Sequence, residues 1–464
     1  GSVWRNMVER GDIVLQASDP ELDRKIKQHA ISSLIRVAVP SDLPIVQAET
    51  LLAQLYSNVL AQLGPQTDAT IALTCSPDQP RRRQHYNCVI LGGTFDHLHL
   101  GHKHLLCLAI WTIQPSGRLL LGLTTDEYLS QRSKTMANLI LDYAKRDQQL
   151  RYFIKQIDPS VDFEILPIND AYGHAGRPDI DAIVVSTETQ SSVDDLNSRR
   201  IREGVPPLEV VVANTIGLDQ TDGAKLSSSW VRTRVDRRQR LESRWNVTMT
   251  NLGVDEDLAT SQFSRLCSEY EAPGRFYHTL EHLDSMFAQF DQISSLHDRC
   301  VVEMSIWFHD LIYDVSKTDN EACSAALAIS YCLQTGIAEL IAKSSLIDKF
   351  ILATTSHETD LASLNEASLS DLRSFLDIDL SILGKPAEEY IAYAKNIARE
   401  YRDVYSTKNF CQGRCRILQR ILSKQRIFKS DEMFNRFEQQ ARANLALEIR
   451  SLSTGCLLNQ NDNC

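Results

Sequence analysis

"LGGTFDHLHLGHKHLL", Leu91–Leu106, decides how the first half of the chain is read. The run before it, "NCVIL" (Asn87–Leu91), has the length and β-branched content of a buried parallel strand. The stretch after it, "GHKHLLCLAIWTI" from Gly101, repeats apolar residues at helical spacing. Gly92 and Gly93 permit a tight turn with close backbone approach. Strand, turn and helix therefore succeed one another, and the turn lies at the carboxyl end of the strand, where open parallel sheets bind ligands. His97, His99, His102 and His104 crowd into it. His99 and His102 are three apart at the helix start, so both rings can lean over one spot. A helix N-terminus offers N–H groups to phosphate, and two imidazoles beside it suit an anion better than a metal ion. Taken alone, such a pair reads as a loop with surface histidines.

Outward from this stretch the alternation continues. "RLLLGLTT", "DFEILPI", "DAIVVST" and "LEVVVAN" read as strands and "LDYAKRDQQLRYFIKQI" as a helix, which means βαβ crossovers and a sheet covered on both faces. Residues 1–85 form an N-terminal segment without a readable motif. It holds one β-like run, "ATIALTC", and ends in a proline-rich charged linker near 76–85. From about Asp255 only helical periodicity remains. The expected organisation is multidomain: the segment 1–85, an α/β Rossmann-like parallel sheet over 86–248, and an all-α domain over 249–464. The tail "LLNQNDNC" is expected to be disordered. The chain opens Gly1-Ser2 without a methionine, so its natural start is expected upstream.

Composition narrows the function. In 464 residues, 43% hydrophobic and 23% charged is ordinary for a globular protein. A formal charge of −11 argues against a general nucleic-acid binder, which needs a basic face. No apolar run is long enough for a membrane span. The 11 cysteines are odd in number and lack a C-x-x-C pair, which fits reduced thiols in the cytoplasm better than a disulfide framework.

A second element strengthens the phosphate reading. In "KLSSSWVRTR", Lys225–Arg234, three serines precede Arg232 by a helical turn, the pattern of a helix N-terminus built to hold phosphate oxygens. "GGTFDHLHLGHKHLL" resembles the H-x-G-H signature of the nucleotidyltransferase superfamily, and "LSSSWVR" its second motif. "AIVVSTETQSSVDDLNSRRIREGVPPLEVVV", from Ala182, is similar to the eukaryotic and archaeal type of phosphopantetheine adenylyltransferase. That resemblance implies transfer of AMP from ATP, with Mg²⁺, to 4'-phosphopantetheine in coenzyme A synthesis. It implies that Gly92, Gly93, Thr94 and Phe95 form the nucleotide turn, with Thr94 positioning the attacking phosphate. His99 and His102 would contact the ATP phosphates, His102 at the α-phosphate. Lys134, or the neighbouring Arg132, would neutralise the same charge. Ser227, Ser228, Ser229 and Arg232 would hold the leaving pyrophosphate, and Ser186, Glu188 and Thr189 would line the adenine or pantetheine pocket. The rival within the superfamily is a cytidylyltransferase acting on an alcohol phosphate. In the animal version of this enzyme a kinase follows; no G-x-x-x-x-G-K-[ST] loop occurs here, so the partner domain differs.

In the helical half, "RFYHTLEHLDSMF" sets His278 and His282 at i and i+4 on one helix face. "SIWFHDLIYD" places His309 beside Asp310 in an apolar helix; His357 and the pair Asp377 and Asp379 follow. Charge in an apolar helical run is costly unless paired or bound to a cation. Histidine with carboxylate suits Mn²⁺, Fe²⁺, Zn²⁺ or Co²⁺. A single buried histidine is more often a hydrogen-bonded core residue than a ligand, but several such residues together carry more weight. These motifs resemble the HD-domain metal-dependent phosphohydrolases. The resemblance implies His278 or His282, with His309, Asp310 and Asp379, as ligands. It implies His357 at a second metal or the substrate phosphate, and Glu321 as an acid/base group. The substrate would be an unidentified phosphate ester, and a purely regulatory or structural helical domain is the alternative. The oligomeric state is not readable from the sequence.

Overall fold

The computed structural model of the chain describes residues 13–16, 34–39, 43–63, 69–75, 86–132, 136–214, 216, 227–357 and 364–454. The linker near 76–85, Lys134 and the tail "LLNQNDNC" lie outside the described residues. Two compact units divide at Asp236/Arg237.

The N-terminal segment is more regular than its sequence suggests. Strands β1 (Ile13–Gln16), β2 (Leu34–Val39) and β3 (Thr70–Cys75) make a parallel three-stranded sheet in that order, with helix α1 (Ile45–Leu63) between β2 and β3. Only β3 is legible in the sequence as a strand. In β2, "LIRVAV", the charged Arg36 interrupts the apolar run. Yet Arg36 is buried, because its guanidinium donates to the carbonyls of Ile157 (2.6 Å) and Gln156 (3.0 Å).

The five expected strands form the larger sheet. β4 (Tyr86–Gly93), β5 (Ile113–Thr124), β6 (Asp162–Ile168), β7 (Ala182–Ser186) and β8 (Glu209–Ala213) pair in parallel in the order β6-β5-β4-β7-β8. The connections leave β4 in opposite directions, so its carboxyl end is the switch point of the sheet. Side chains alternate across it as the strand period requires. Val89, Leu91, Leu119 and Leu121 face one core with helices α2 (Leu100–Thr112) and α4 (Tyr143–Ile157); the short helix α3 (Asp126–Ser130) lies between them in sequence. Cys88, Ile90 and Leu120 face the other core, with Val193 and Leu196 of α5 (Ser191–Arg202). β4 and β5 approach closely where Gly92 pairs with Gly122; a Cβ on Gly122 would lie 2.5 Å from Ile168 Cδ1.

Helix α2 has no wet side. Residues around its whole circumference are buried, including Lys103 and His104. One face meets the large sheet, and the other joins the core of Ala48, Leu52, Tyr56 and Ile71 from the N-terminal segment. An all-round apolar helix of this kind belongs in the middle of a layered core.

Helix α6 (Ser228–Leu252) spans the division between the units. Its Leu241, Trp245 and Met249 lie in the core of the second unit, so residues 237–248 group with the helical half. That unit continues through α7 (Glu256–Tyr270), α8 (Leu280–Phe290), α9 (Arg299–Phe308), α10 (Asn320–Gln334), α11 (Ala338–Ala353), α12 (Glu366–Asp379), α13 (Ala387–Tyr401), α14 (Thr407–Leu422) and α15 (Asp431–Thr454). Short polar side chains start several of these helices by accepting a first-turn N–H: Asp255 for α7, Thr279 for α8, Asp298 for α9 and Asn365 for α12. No helix among the described residues is long and apolar enough to cross a membrane.

Burial pushes the His104 imidazole down to about 4, against a smaller upward effect of the Asn214 backbone. The unfolded chain takes up this proton near pH 6.5, whereas the folded chain resists it until about pH 4. Stability is therefore lost as pH falls through that window, by about 2–3 kcal/mol at about pH 4.5. We expect H104Q to remove most of that loss, read as the parent-to-variant difference in denaturation midpoint between about pH 7 and about pH 4.5.

Candidate functional site

The loop after β4 is held in a strained form. Phe95 (φ 48°) and His97 (φ 47°) both occupy the left-handed region, an arrangement that persists only where the surroundings enforce it. Arg146 of α4, fully buried, does much of that enforcing. Its guanidinium donates to the carbonyls of Thr94 (2.9 Å), Thr124 (2.8 Å) and Leu141 (2.7 Å) and to Asp126 (2.6 Å). Thr124 donates its hydroxyl to the Gly93 carbonyl (3.0 Å). Asp96, with no exposure, accepts from the Leu141 amide (3.0 Å) and from Arg232 (2.7 Å).

This frame sets two imidazoles at the opening of α2. His99 occupies the position just ahead of the helix without a capping bond from its side chain, and its ring stacks on that of His102 with centroids 3.9 Å apart. Phe95 packs on His102 from the loop side, at 5.5 Å. The glycine between the histidines has a steric role: a Cβ on Gly101 would lie 3.1 Å from the His99 ring. The first-turn amides of α2 have no acceptor within the helix, so donors and imidazoles share one edge of the sheet.

The serine motif opens α6. Ser227 accepts the Trp230 amide through its hydroxyl (3.2 Å), capping the helix. Arg232 is buried, and it links Asp96 to the Ser229 hydroxyl (3.0 Å). It thus stands as a brace between the two motifs. At the carboxyl end of β7, the Ser186 and Thr189 hydroxyls hydrogen-bond each other (3.2 Å) and Glu188 is exposed. Arg132 lies with its guanidinium 4.4 Å from the Tyr128 ring centre. Sequence reasoning misses Asp96 and Arg146: each is a charged residue whose partners lie far along the chain.

The second unit gathers its own cluster. His282 Nε2 lies 3.2 Å from His309 Nε2 and 3.2 Å from Asp379 Oδ1; His309 Nε2 lies 3.0 Å from Asp310 Oδ2. His282, His309 and Asp310 each offer one atom within 4.8 Å of the others, a grouping that could hold a metal ion. Asp379 adjoins it, and His357, in a left-handed conformation (φ 52°), bonds its other oxygen at 2.9 Å. Two buried imidazoles with two carboxylates are the donor set a borderline divalent ion prefers. Burial lowers the His309 pKa, but Asp310 and Asp379 beside it, with the Ile306 backbone, together outweigh burial and lift it to about 9. Burial would raise Asp310 and Asp379, yet the neighbouring histidines hold both below the usual carboxylate range.

The i, i+4 histidines have different partners. His278 gives its Nδ1 edge to Glu400 (2.7 Å) and keeps Nε2 3.9 Å from Asp310 Oδ2. Glu400, buried on α13, also accepts the amides of Phe276 (2.7 Å), Tyr277 (2.7 Å) and His278 (3.1 Å) and the Tyr313 hydroxyl (2.9 Å). Arg275, likewise buried, donates to the carbonyls of Asp310 (2.8 Å) and Leu311 (2.8 Å) and so fixes the turn after α9. Asp377 is elsewhere: its carboxylate accepts the amides of Lys429 (2.8 Å) and Ser430 (2.6 Å) ahead of α15. Glu321 lies in the first turn of α10, apart from the hydrogen bonds that knit the cluster. No sequence signal marks Glu400, which reads as a solvated helix residue; Arg275 at least opens the histidine motif.

A helix opens at the switch point of the parallel sheet, and residues 90–234, which hold that opening, match the cytidylyltransferase-like family. Phosphopantetheine adenylyltransferase of Saccharomyces cerevisiae is 40% identical over 156 residues, 33% of this chain and 50% of the yeast protein. That of Methanopyrus kandleri is 39% identical over 149 residues, 32% of this chain and 90% of its own length. That of Methanosarcina mazei is 34% identical over 155 residues, 33% of this chain and 96% of its own length. With the archaeal relatives covered almost end to end, the chain belongs to the phosphopantetheine adenylyltransferase family; it spans half the length of the yeast relative.

We expect D310A to lose bound divalent metal when the purified full chain is assayed by plasma mass spectrometry after metal loading. D377N is expected to keep its metal and instead to lower the thermal midpoint, because it disturbs only the cap ahead of α15.

Proposed function

We propose that the first unit transfers AMP from ATP to 4'-phosphopantetheine, giving dephospho-coenzyme A and pyrophosphate. The observation that supports this reading is the stacked His99–His102 pair at the α2 opening, in a chain of this family. An ionised phosphate attacks the α-phosphorus in line; the new P–O bond forms as the bond to the β-phosphate oxygen breaks, and no general base is needed. Catalysis is positioning plus charge stabilisation. His102 and the first-turn amides meet the charge that grows on the α-phosphate, while Thr94 orients the incoming phosphate. Ser228 and Ser229 receive the departing pyrophosphate, with Arg232 holding the serine turn against the Asp96 loop. ATP arrives as its Mg²⁺ complex.

H102A should lower turnover by about two to three orders of magnitude, as loss of a preorganised donor does. G101A should lower it about tenfold through displacement of the His99 ring, while stability holds or rises because alanine favours the helix by about 1 kcal/mol. Pyrophosphate release with ATP and phosphopantetheine measures both. Release with CTP and choline phosphate or glycerol phosphate instead would establish the cytidylyltransferase alternative.

For the second unit we propose an HD-type phosphohydrolase acting on a phosphate ester. Four convergent groups, His282, His309, Asp310 and Asp379, support it. A divalent ion held there would supply Lewis acidity. His282 takes the ligand role and His278, clamped by Glu400, faces the substrate side. Arg275 holds the Asp310 turn in place. Phosphopantetheine or a damaged derivative is the substrate suggested by the fusion. Manganese-dependent phosphate release from it, lost in H309A, is the expected result; equal release from unrelated nucleotides with none from pantetheine compounds would refute the substrate, and metal-independent release would refute the mechanism.

A further inference from the structure

The N-terminal segment touches the adenylyltransferase site through polar groups as well as apolar packing. Glu49 of α1 is buried, 6% exposed, at a junction of three elements. Its Oε1 accepts the Asn214 backbone amide (2.8 Å) and its Oε2 accepts the Asn214 side-chain Nδ2 (2.9 Å). Oε1 also lies 3.9 Å from His104 Nε2. Asn214 follows β8 directly, on the sheet edge that carries the site. His104 is on α2, two residues beyond His102. Other described residues of the segment meet the same helix: the Tyr56 hydroxyl bridges Ile71 (2.9 Å) and Cys107 Sγ (3.6 Å), and Lys103 Nζ reaches the Ala69 carbonyl at 3.5 Å. Arg36 caps the far end of α4, the helix whose Arg146 holds the Thr94 loop.

We infer that the N-terminal segment is a working part of the adenylyltransferase site, and that Glu49 is a positioning residue which sets α2, and with it His99 and His102, against the ends of the sheet strands. Apolar packing alone leaves a helix free to slide or roll by a fraction of an ångström with little loss of contact. Glu49 fixes Asn214 with two directional bonds, and the Asn214 backbone in turn bonds the His104 imidazole of α2, so the carboxylate restricts that freedom through Asn214. Because His102 acts on a transition state, small displacements of α2 fall on turnover more than on ATP binding.

The inference rests on the adenylyltransferase reading above, and the experiment separates the two. Full-length parent, E49Q and E49Q/N214D are compared by pyrophosphate release with ATP and phosphopantetheine. The E49Q side chain can accept only one of the two Asn214 donors and turns an amide against the other. In the double variant that introduced amide donates to the carboxylate introduced opposite it, so both bonds return with one polarity reversed. The expected result is a fall in kcat of about tenfold in E49Q, with KM for ATP within about twofold, and recovery of most of kcat in E49Q/N214D. A merely structural Glu49 would lower thermal stability without this kcat-selective loss and rescue. If E49Q folds poorly, N214A, which keeps the backbone bond, replaces it and should show a smaller kcat-selective loss. Parental kcat in E49Q or N214A, or a loss that the double variant does not restore, overturns the inference. No pyrophosphate from the parent chain overturns the adenylyltransferase reading instead.

Discussion

A buried ion pair holds the first unit's chemistry together. Asp96 lies in the loop that follows β4, Arg232 in the helix opened by the serines, and 136 residues separate them in sequence. Neither is solvated, so each depends on the other: removing one partner of such a pair leaves an uncompensated buried charge, at a cost of about 3–5 kcal/mol. The pair is also directional. Asp96 spends its second oxygen on the Leu141 amide, and Arg232 spends its second nitrogen on Ser229. Two phosphate-type motifs that share no strand or helix are thereby set at one spacing. The left-handed residues Phe95 and His97 can persist because the loop they distort is pinned at Thr94 by Arg146 and at Asp96 by Arg232.

Much of this is legible in the sequence, for a definite reason. The five strands of the large sheet are short, largely apolar runs, with the central β5, β4 and β7 buried on both faces over most of their length, and each is bounded by a helix or a turn. The helical half announces itself by uninterrupted period-3.6 spacing. What escapes reading is polar structure buried through distant partners. Arg36 makes β2 look unlike a strand, but it caps a helix whose end lies 121 residues later. Asp96 and Arg146 resemble surface charges until their partners are known. Asp377 is a different case. In a helix, residues i and i+2 point apart, so Asp377 and Asp379 on α12 could not both reach one site; the former braces the start of α15 and the latter joins the histidines. The ambiguity between His278 and His282 has no local solution, since both share a face. The structure separates them by their partners: Glu400, 122 residues away, takes the Nδ1 edge of His278, while His282 Nε2 faces His309 and Asp379.

The two candidate sites reach opposite ends by the same means. At the opening of α2, backbone amides and imidazoles make a positive, donor-rich edge. In the second unit, carboxylates and imidazoles converge within a core that includes Trp307, Phe308 and Phe375. In both, the side chains that carry the chemistry are held by others that do not: Gly101 makes room for His99, while Arg275 and Glu400 fix the Asp310 turn and His278.

The second cluster also illustrates why its charges require company. Asp310 is held ionised in a buried place chiefly by His309, which keeps a proton that burial would otherwise strip, and Asp379 chiefly by its hydrogen bonds to His282 and His357. The proton is a placeholder: it supplies the positive charge the carboxylates need, on an atom that would have to be vacated before a cation could bind there. A cation held there would therefore compete with the proton for one nitrogen, and its affinity would weaken as pH falls. His104 shows the reverse: burial drives the proton off and leaves the ring neutral, although the Glu49 carboxylate lies 3.9 Å away. Within the cluster the two imidazoles divide: the carboxylates lift His309, whereas burial keeps His282 below its ordinary value despite Asp379 beside it.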